Sequence, residues 1–377
     1  MDKQAVFRGE SGYSQLERYI IEKNSRGVFI VCGKSFQGLR TGEFFRSFEQ
    51  RTGIKTVYFT GFTPNPTYEE AAAGVAAFRA SGCDIIIGAG GGSAMDTAKC
   101  VKLFAEMPDD KPYVEQETVP NHIPLIAIPT TAGTGSEATK YAVIYYKGEK
   151  FSVTDDSAVP EAVLLDGALL KGLPDYHRKS AMLDALCHGI ESFWSVNSTA
   201  ESRELSAKAI QMILGYRIRY IGGNTAAEEV MLEAAYIAGQ AINITATTAG
   251  HAMSYKLTSL YGMAHGHAAA LCAAADYRFM LENLQKCSDP RGAGSVEKIL
   301  TSLVHVFHSS DTGALADFLA GLPETLGLRL PEAASTADIP LLVSSVNAGR
   351  LKNNPVQPDS SDLARMYTEI LGGKNES

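Results

Sequence analysis

Between residues 13 and 23 apolar side chains recur at helical spacing, and the run that follows, Gly27-Val-Phe-Ile-Val-Cys32, is apolar without interruption. An amphipathic helix leading into a strand buried on both faces accounts for the two patterns. The alternation then repeats. A helix over about 42–52 precedes Thr56-Val-Tyr-Phe-Thr60, another over about 68–81 precedes Asp84-Ile-Ile-Ile-Gly88, and Pro124-Leu-Ile-Ala-Ile-Pro129 reads as a further buried strand. The tip Gly148-Glu-Lys150 and the run Val163-Leu-Leu-Asp166 complete this region. Strand alternating with helix predicts a parallel sheet covered on both faces, with ligands beyond the carboxyl ends of the strands.

A break at Leu173-Pro174-Asp175 ends the alternation, and the pattern turns helical almost throughout. Helical periodicity marks 180–195, 199–220, 225–245 and 251–261, then about 266–284, 294–307 and 312–322, with a last helix over 361–371. The chain is therefore read as an α/β domain, residues 1–173, followed by an all-α domain, residues 174–377, with a cleft between domains as the default ligand site.

Composition changes this picture little. With 377 residues, 45% hydrophobic and 20% charged, the chain can bury a large core in two or three domains. A net charge of −8 and an isoelectric point near 5.6 speak against a nucleic-acid partner, whose phosphates need a basic surface. The first residues lack the basic start and apolar run of a signal peptide, and no stretch reaches the roughly 18 apolar residues of a membrane helix. Six cysteines are scattered without CxxC pairs, as reduced thiols are in a chain of this length. The expectation is a soluble, cytoplasmic protein.

Candidate chemistry lies in both halves. Asp184 and His188 stand four apart in a helical segment and so share a face, and His251, His265 and His267 follow at two later places. One Asp and several His make a mixed O/N set suited to Zn²⁺ or Fe²⁺, although each residue has an ordinary alternative as a helix pair or a satisfied core histidine. In the first half a strand ends in Gly88-Ala-Gly90-Gly91-Gly92-Ser93, and a helix begins at once with Asp96 in its first turns. Glycines admit a close ligand and a helix N-terminus offers N–H groups to a phosphate; the alternative is a tight strand–helix turn. Thr130-Thr131-Ala-Gly-Thr134-Gly-Ser-Glu137 closes the next strand, with hydroxyls for a second part of the same nucleotide or for solvent. No cysteine or other side chain stands out as a nucleophile.

Taken together these residues resemble the iron-dependent, or group III, alcohol dehydrogenases. Gly90-Gly-Gly-Ser-Ala-Met-Asp-Thr-Ala-Lys99, Pro129-Thr-Thr-Ala-Gly-Thr-Gly-Ser-Glu137, Asp184-x-x-x-His188-x-x-Glu191 and the His251…His265 pair match in order over nearly the whole chain. The resemblance implies a Rossmann-like nucleotide domain and a helical metal domain, the two-domain plan of dehydroquinate synthase, and a homodimer. It implies Asp184, His188, His251 and His265 as ligands of one Fe²⁺ or Zn²⁺. It sets Gly91, Gly92, Ser93, Asp96, Thr130, Thr131, Thr134 and Lys150 around NAD(H) or NADP(H). The activity implied is hydride transfer between NAD(P)H and a small aldehyde.

Three departures from the family pattern carry expectations. A further histidine common in the family is Tyr255 here, so Tyr255 or His267 is expected to handle the proton. The next residue, commonly Pro, is Lys256. An Asp that accepts from the ribose of NAD in many members is replaced by Gly33-Lys34-Ser35, which predicts at least a mild preference for NADP(H). The stretches around Lys256 and Arg350-Leu-Lys-Asn353-Asn354 resemble the phosphonoacetaldehyde reductase branch, which would set Lys256, Arg350, Asn353 and Asn354 on a phosphonate. In the alternative Lys256 runs out to solvent and the two asparagines cap a turn. A general short-chain or butanol dehydrogenase, a dehydroquinate synthase-like lyase and a cofactor-binding protein without turnover are the rival functions.

Overall fold

The computed structural model describes residues 4–372. Its strands are β1 (Ala5–Arg8), β2 (Gly27–Cys32), β3 (Lys55–Phe59), β4 (Ile85–Gly90), β5 (Leu125–Pro129), β6 (Tyr141–Tyr146), β7 (Glu149–Thr154) and β8 (Ala162–Leu165). Among and just after them lie helices α1 (Gly9–Glu22), α2 (Arg40–Arg46), α3 (Phe48–Thr52), α4 (Tyr68–Ser81) and α5 (Gly92–Phe104). Then come α6 (Asp175–Trp194), α7 (Ala200–Ile221), α8 (Thr225–Thr245), α9 (Ala249–Tyr261) and α10 (His265–Glu282). The remainder is α11 (Ala293–Phe307), α12 (Thr312–Thr325), the short α13 (Ile339–Ser344) and α14 (Ala348–Leu351), and α15 (Ser360–Gly372). Among the described residues no helix is long and apolar enough to cross a membrane.

Two compact units form. One comprises Met1–Gly172 with Gly223–Tyr236, the other Leu173–Gly222 with Ile237–Ser377. In the first, six strands make a parallel sheet in the order β1-β8-β5-β4-β2-β3. Its central strands are apolar at every position because both faces are covered. Val28, Ile30 and Cys32 of β2 pack with α1, α2 and α3, while Phe29 and Val31 point the other way, toward Phe78 of α4 and Val101 of α5. The outer side of α4 and α5 is closed by the hairpin β6–β7, whose Ala142, Ile144 and Val153 join Val75, Cys100 and Phe104.

Local chemistry sets several boundaries. Thr67 and Glu70 form a reciprocal capping box at the start of α4, and Gly82 ends that helix at φ +69°, where an L side chain would be strained. The single helix expected over 42–52 is broken at Ser47 into α2 and α3. Gly223–Tyr236 joins the first unit by specific contacts. Arg8 grips Glu233 with two hydrogen bonds of 2.9 Å, Tyr236 donates to Gln4 Oε1 at 2.7 Å, and Gly167 lies flat against the Glu229 backbone.

The chain runs from β2 outward to β3, then crosses β2 to form β4. The carboxyl ends of β2 and β4 therefore flank the point at which strand order reverses, where open α/β sheets bind ligands. In the second unit α6 packs against α7 and α10, and α10 against α9. Every residue of α6 from Met182 to Trp194 is buried. It is the central rod of that unit.

Candidate metal centre and cofactor cradle

Asp184, His188 and Glu191 all lie buried along α6. Positions separated by four and then three residues fall on one stripe of a helix, so the three polar groups point the same way. Helix α9 adds His251 and α10 begins with His265. All three imidazole Nε2 atoms converge on one oxygen, Asp184 Oδ1, at 4.0 Å for His188, 3.6 Å for His251 and 3.8 Å for His265. The ligand atoms of Asp184, His188 and His251 all lie within 4.8 Å of one another. The expected four groups are thus brought together.

Two observations show that the cluster fits a cation. Asp184 Oδ1 and His251 Nε2 are buried without a hydrogen-bond partner, an arrangement that costs stability unless something occupies the space between them. Burial disfavours the charge on Asp184, but the surrounding imidazoles outweigh it and hold its carboxyl well below the usual range. Burial likewise opposes charge on His251, yet Glu191 and Asp184 raise its pKa to about 9. Asp184 among three imidazoles, with Glu191 behind one of them, offers nitrogen and oxygen donors of the kind that divalent iron and zinc accept.

Glycines let the helices meet. A Cβ on Gly266 would lie 2.0 Å from Ser180 O and 2.6 Å from Asp184 Cβ, so only glycine allows α10 to approach α6 here. On α9, a Cβ at Gly250 would stand 2.7 Å from Glu191 Oε1.

Tyr255 stacks on the His265 ring, with centroids 5.6 Å apart and planes within 11°. Its phenol accepts from Arg350 Nη1 at 3.0 Å, and the guanidinium also lies over the ring at 5.2 Å. Burial pushes the Tyr255 phenol up in pKa, against the opposing pull of Arg350. Lys256 is half-buried, and its ammonium makes no hydrogen bond or ion pair among the described residues. His267 is buried, shares a 3.3 Å contact with the Tyr176 hydroxyl through Nδ1, and is depressed to about 4 by burial. It is neutral at pH 7.

The two asparagines do something other than expected. Asn353 Nδ2 donates to the carbonyls of Thr245 and Thr247 at 3.1 and 3.2 Å, and its Oδ1 accepts from Asn197. Asn354 is wholly buried; its Nδ2 donates to Asp276 Oδ1 and Val356 O, and its Oδ1 accepts from Ala249 N. Amides spent on the protein have little left for a ligand, so they pin the loop that follows Arg350 onto the start of α9.

In the first unit, Gly91 caps α5 without a side-chain hydrogen bond, and Gly91, Gly92 and Ser93 are half-buried. The Thr130–Glu137 loop packs directly on this turn: Thr130 N donates to Gly90 O at 3.0 Å. A Cβ on Gly91 would stand 3.2 Å from Thr131 Cγ2, and one on Gly92 3.1 Å from Thr134 Cγ2. Glycine is needed there to let the two loops close into one cradle. Asp96 is half-buried at its edge and raised to about 6 by burial, against the charges of Lys99 and Lys150. Beneath it the buried Lys99 ammonium donates to Ser136 Oγ, Thr139 O and Tyr141 O at 3.0, 2.6 and 2.8 Å, tying α5 to the far end of the loop. Gly33 leaves β2 in an extended conformation, and Lys34 and Ser35 are exposed with no side-chain partner among the described residues.

Glu191 and Trp194 are the residues whose part sequence reasoning missed. Glu191 was legible as the third position of the stripe begun by Asp184 and His188, but only the folded chain shows that it meets His251, at 2.5 Å. Trp194 is fully buried and donates from Nε1 to Thr248 Oγ1 at 2.9 Å.

Comparison with known proteins bears on the family and the fold. Residues 4–167 match the iron-containing alcohol dehydrogenase family, and residues 179–371 match the C-terminal region of the Fe-containing alcohol dehydrogenase family. The chain is 31% identical over 333 residues to a phosphonoacetaldehyde reductase of Streptomyces viridochromogenes, covering 81% of this chain and 80% of that protein. It is 31% identical over 359 residues to a 1,3-propanediol dehydrogenase of Klebsiella pneumoniae, covering 91% of each. Its fold is similar to that of a sulfoacetaldehyde reductase from Bifidobacterium kashiwanohense crystallised with NAD⁺, with a TM-score of 0.86, 27% identity, and coverage of 99% of this chain and 98% of that one.

Proposed function

We propose, from the premise that the chain belongs to the iron-containing alcohol dehydrogenase family, that it reduces a small aldehyde with an anionic head group, phosphonoacetaldehyde to 2-hydroxyethylphosphonate. Membership makes the chain a metal-dependent, nicotinamide-linked oxidoreductase acting between alcohols and aldehydes. The reaction adds a hydride to the carbonyl carbon and a proton to the oxygen, and leaves the nicotinamide oxidised. When bound, the divalent cation polarises the carbonyl and the dihydronicotinamide carries the hydride. Asp184, His188, His251 and His265 are the groups we assign to holding that cation. Gly91, Gly92, Ser93, Asp96, Thr130, Thr131, Thr134 and Lys150 are assigned to the nucleotide.

The observation that carries the substrate reading is the fixed cation beside the metal centre. Arg350 is held by Tyr255, and Tyr255 lies flat on His265, so a guanidinium stands one ring away from a candidate ligand. Phosphonate and sulfonate oxygens are natural partners for its remaining N–H donors, and Lys256 is a second cation one residue along. The names of two of the relatives point to aldehydes of this kind. Because His267 is neutral and buried, Tyr255 is the better candidate to pass the proton to the nascent alcohol oxygen.

A panel of phosphonoacetaldehyde, sulfoacetaldehyde, lactaldehyde and propanal tests this. Arg350→Met should lose about 10- to 150-fold in kcat/KM on the anionic aldehydes, the worth of a charge-assisted hydrogen bond of about 1.5–3 kcal/mol, and little on propanal. Equal losses on both classes, or propanal as the best substrate of the wild type, would favour a general short-chain dehydrogenase.

Lys34 and Ser35, exposed where β2 ends, support acceptance of a 2′-phosphate. NADPH should serve at least as well as NADH, and Lys34→Asp should shift the ratio of kcat/KM values toward NADH by about tenfold, or roughly 1.4 kcal/mol. A wild type much faster with NADH reverses this assignment. Six free cysteines support a cytoplasmic setting, and family membership supports a homodimer, which sedimentation of the holoenzyme would test.

A further inference from the structure

We propose that Glu191 is a positioning residue that keeps the ring proton of His251 on Nδ1, and so leaves Nε2 open for the metal. The inference rests on the metal-centre reading above. Glu191 is fully buried on α6, and its two oxygens have different neighbours. Oε2 accepts from the Thr248 backbone N–H at 2.6 Å and from the Thr248 hydroxyl at 2.9 Å. Oε1 lies 2.5 Å from His251 Nδ1.

The direction of each hydrogen bond follows from the groups that have no choice. A backbone N–H only donates, and an indole N–H only donates. Trp194 Nε1 therefore gives its proton to Thr248 Oγ1 at 2.9 Å, and that hydroxyl passes its own on to Glu191. The carboxylate only accepts, so the proton between it and the imidazole sits on Nδ1. Whenever the ring carries a single proton, Nε2 keeps its lone pair; that atom is buried, without a hydrogen-bond partner and 3.6 Å from Asp184 Oδ1. One helix thus supplies two candidate ligands and, at the next position of the same stripe, orients a third that belongs to α9. A carboxylate behind a ligating imidazole also raises its basicity and steadies its ring.

Glu191→Gln tests this with almost no change of shape. The Thr248 N–H still demands an acceptor, so the amide oxygen takes that side and the NH₂ group faces His251 Nδ1. A donor facing Nδ1 drives the ring proton to Nε2, the atom the metal requires. Binding of Co²⁺ to the metal-free protein, followed through its visible absorption, should weaken by about 10–100-fold with an altered spectrum, while the circular dichroism of the metal-free variant stays that of the wild type. A folded Glu191→Gln protein with wild-type Co²⁺ affinity and spectrum overturns the inference. If that variant does not fold, Thr248→Val carries the test by removing the hydroxyl that holds Oε2. A loss of about threefold or more supports the inference, and unchanged affinity overturns it. A wild type that takes up no Co²⁺ would instead overturn the metal-centre reading itself.

Discussion

Asp184→Asn should leave a folded protein that holds almost no metal and turns over at least about a thousandfold more slowly in kcat/KM, since a Lewis acid contributes several kcal/mol to reduction of a carbonyl. The substitution keeps the shape of the side chain and removes only its charge. Asp184 Oδ1 is the atom on which the three imidazoles converge within 4.0 Å, so no other group stands in for it. An amide there presents either a weaker neutral acceptor or a donor, and the net charge that draws a cation into a buried place is lost. Metal content by plasma mass spectrometry and steady-state kinetics with the best aldehyde check this. A variant that keeps both its metal and its rate would show that the cation is held elsewhere.

The second large effect is expected from a methyl group. Gly266→Ala would place a carbon 2.0 Å from Ser180 O and 2.7 Å from Asp184 N, both backbone atoms that no rotamer change can move. Relief requires α10 to withdraw from α6, and His265, one residue away, withdraws with it. Overpacking of this kind costs about 1–3 kcal/mol and sometimes more. Both stability and metal affinity should fall. Thermal melts with and without Co²⁺ separate the two effects: the stabilisation that metal confers on the wild type should shrink or vanish in the variant. A variant that melts and binds like the wild type would mean that the close approach of these two helices is not needed.

How much of this was legible before folding depends on which forces left a mark in the sequence. Strands β2, β4 and β5 are covered on both faces, so each is an unbroken apolar run that stands out. Strand β1 has four residues at a sheet edge and leaves too short a signal. Of the hairpin β6–β7 only the turn at Gly148 is conspicuous, because its strands are half-buried and mix polar with apolar side chains. The metal cluster was readable through helical spacing, aided by family resemblance, since ligands four apart must share a face. Asn353 and Asn354 were not, because an asparagine that braces a loop looks the same in sequence as one that meets a ligand. Glu191 stood out by its place in the stripe, but its contact with His251 did not: that partner on α9 lies sixty residues away, at a distance no local pattern encodes.

The grip of Arg8 on Glu233, and of Tyr236 on Gln4, bears on the order in which the molecule is born. A nascent polypeptide emerging from the ribosome cannot complete its sheet-bearing body when Gly172 appears. Synthesis must run on through Leu173–Gly222, which belongs to the other body, before the closing segment is available. The first body is in this way closed only after part of the second has been made, and a gene cut after Gly172 would yield a fragment missing its last piece.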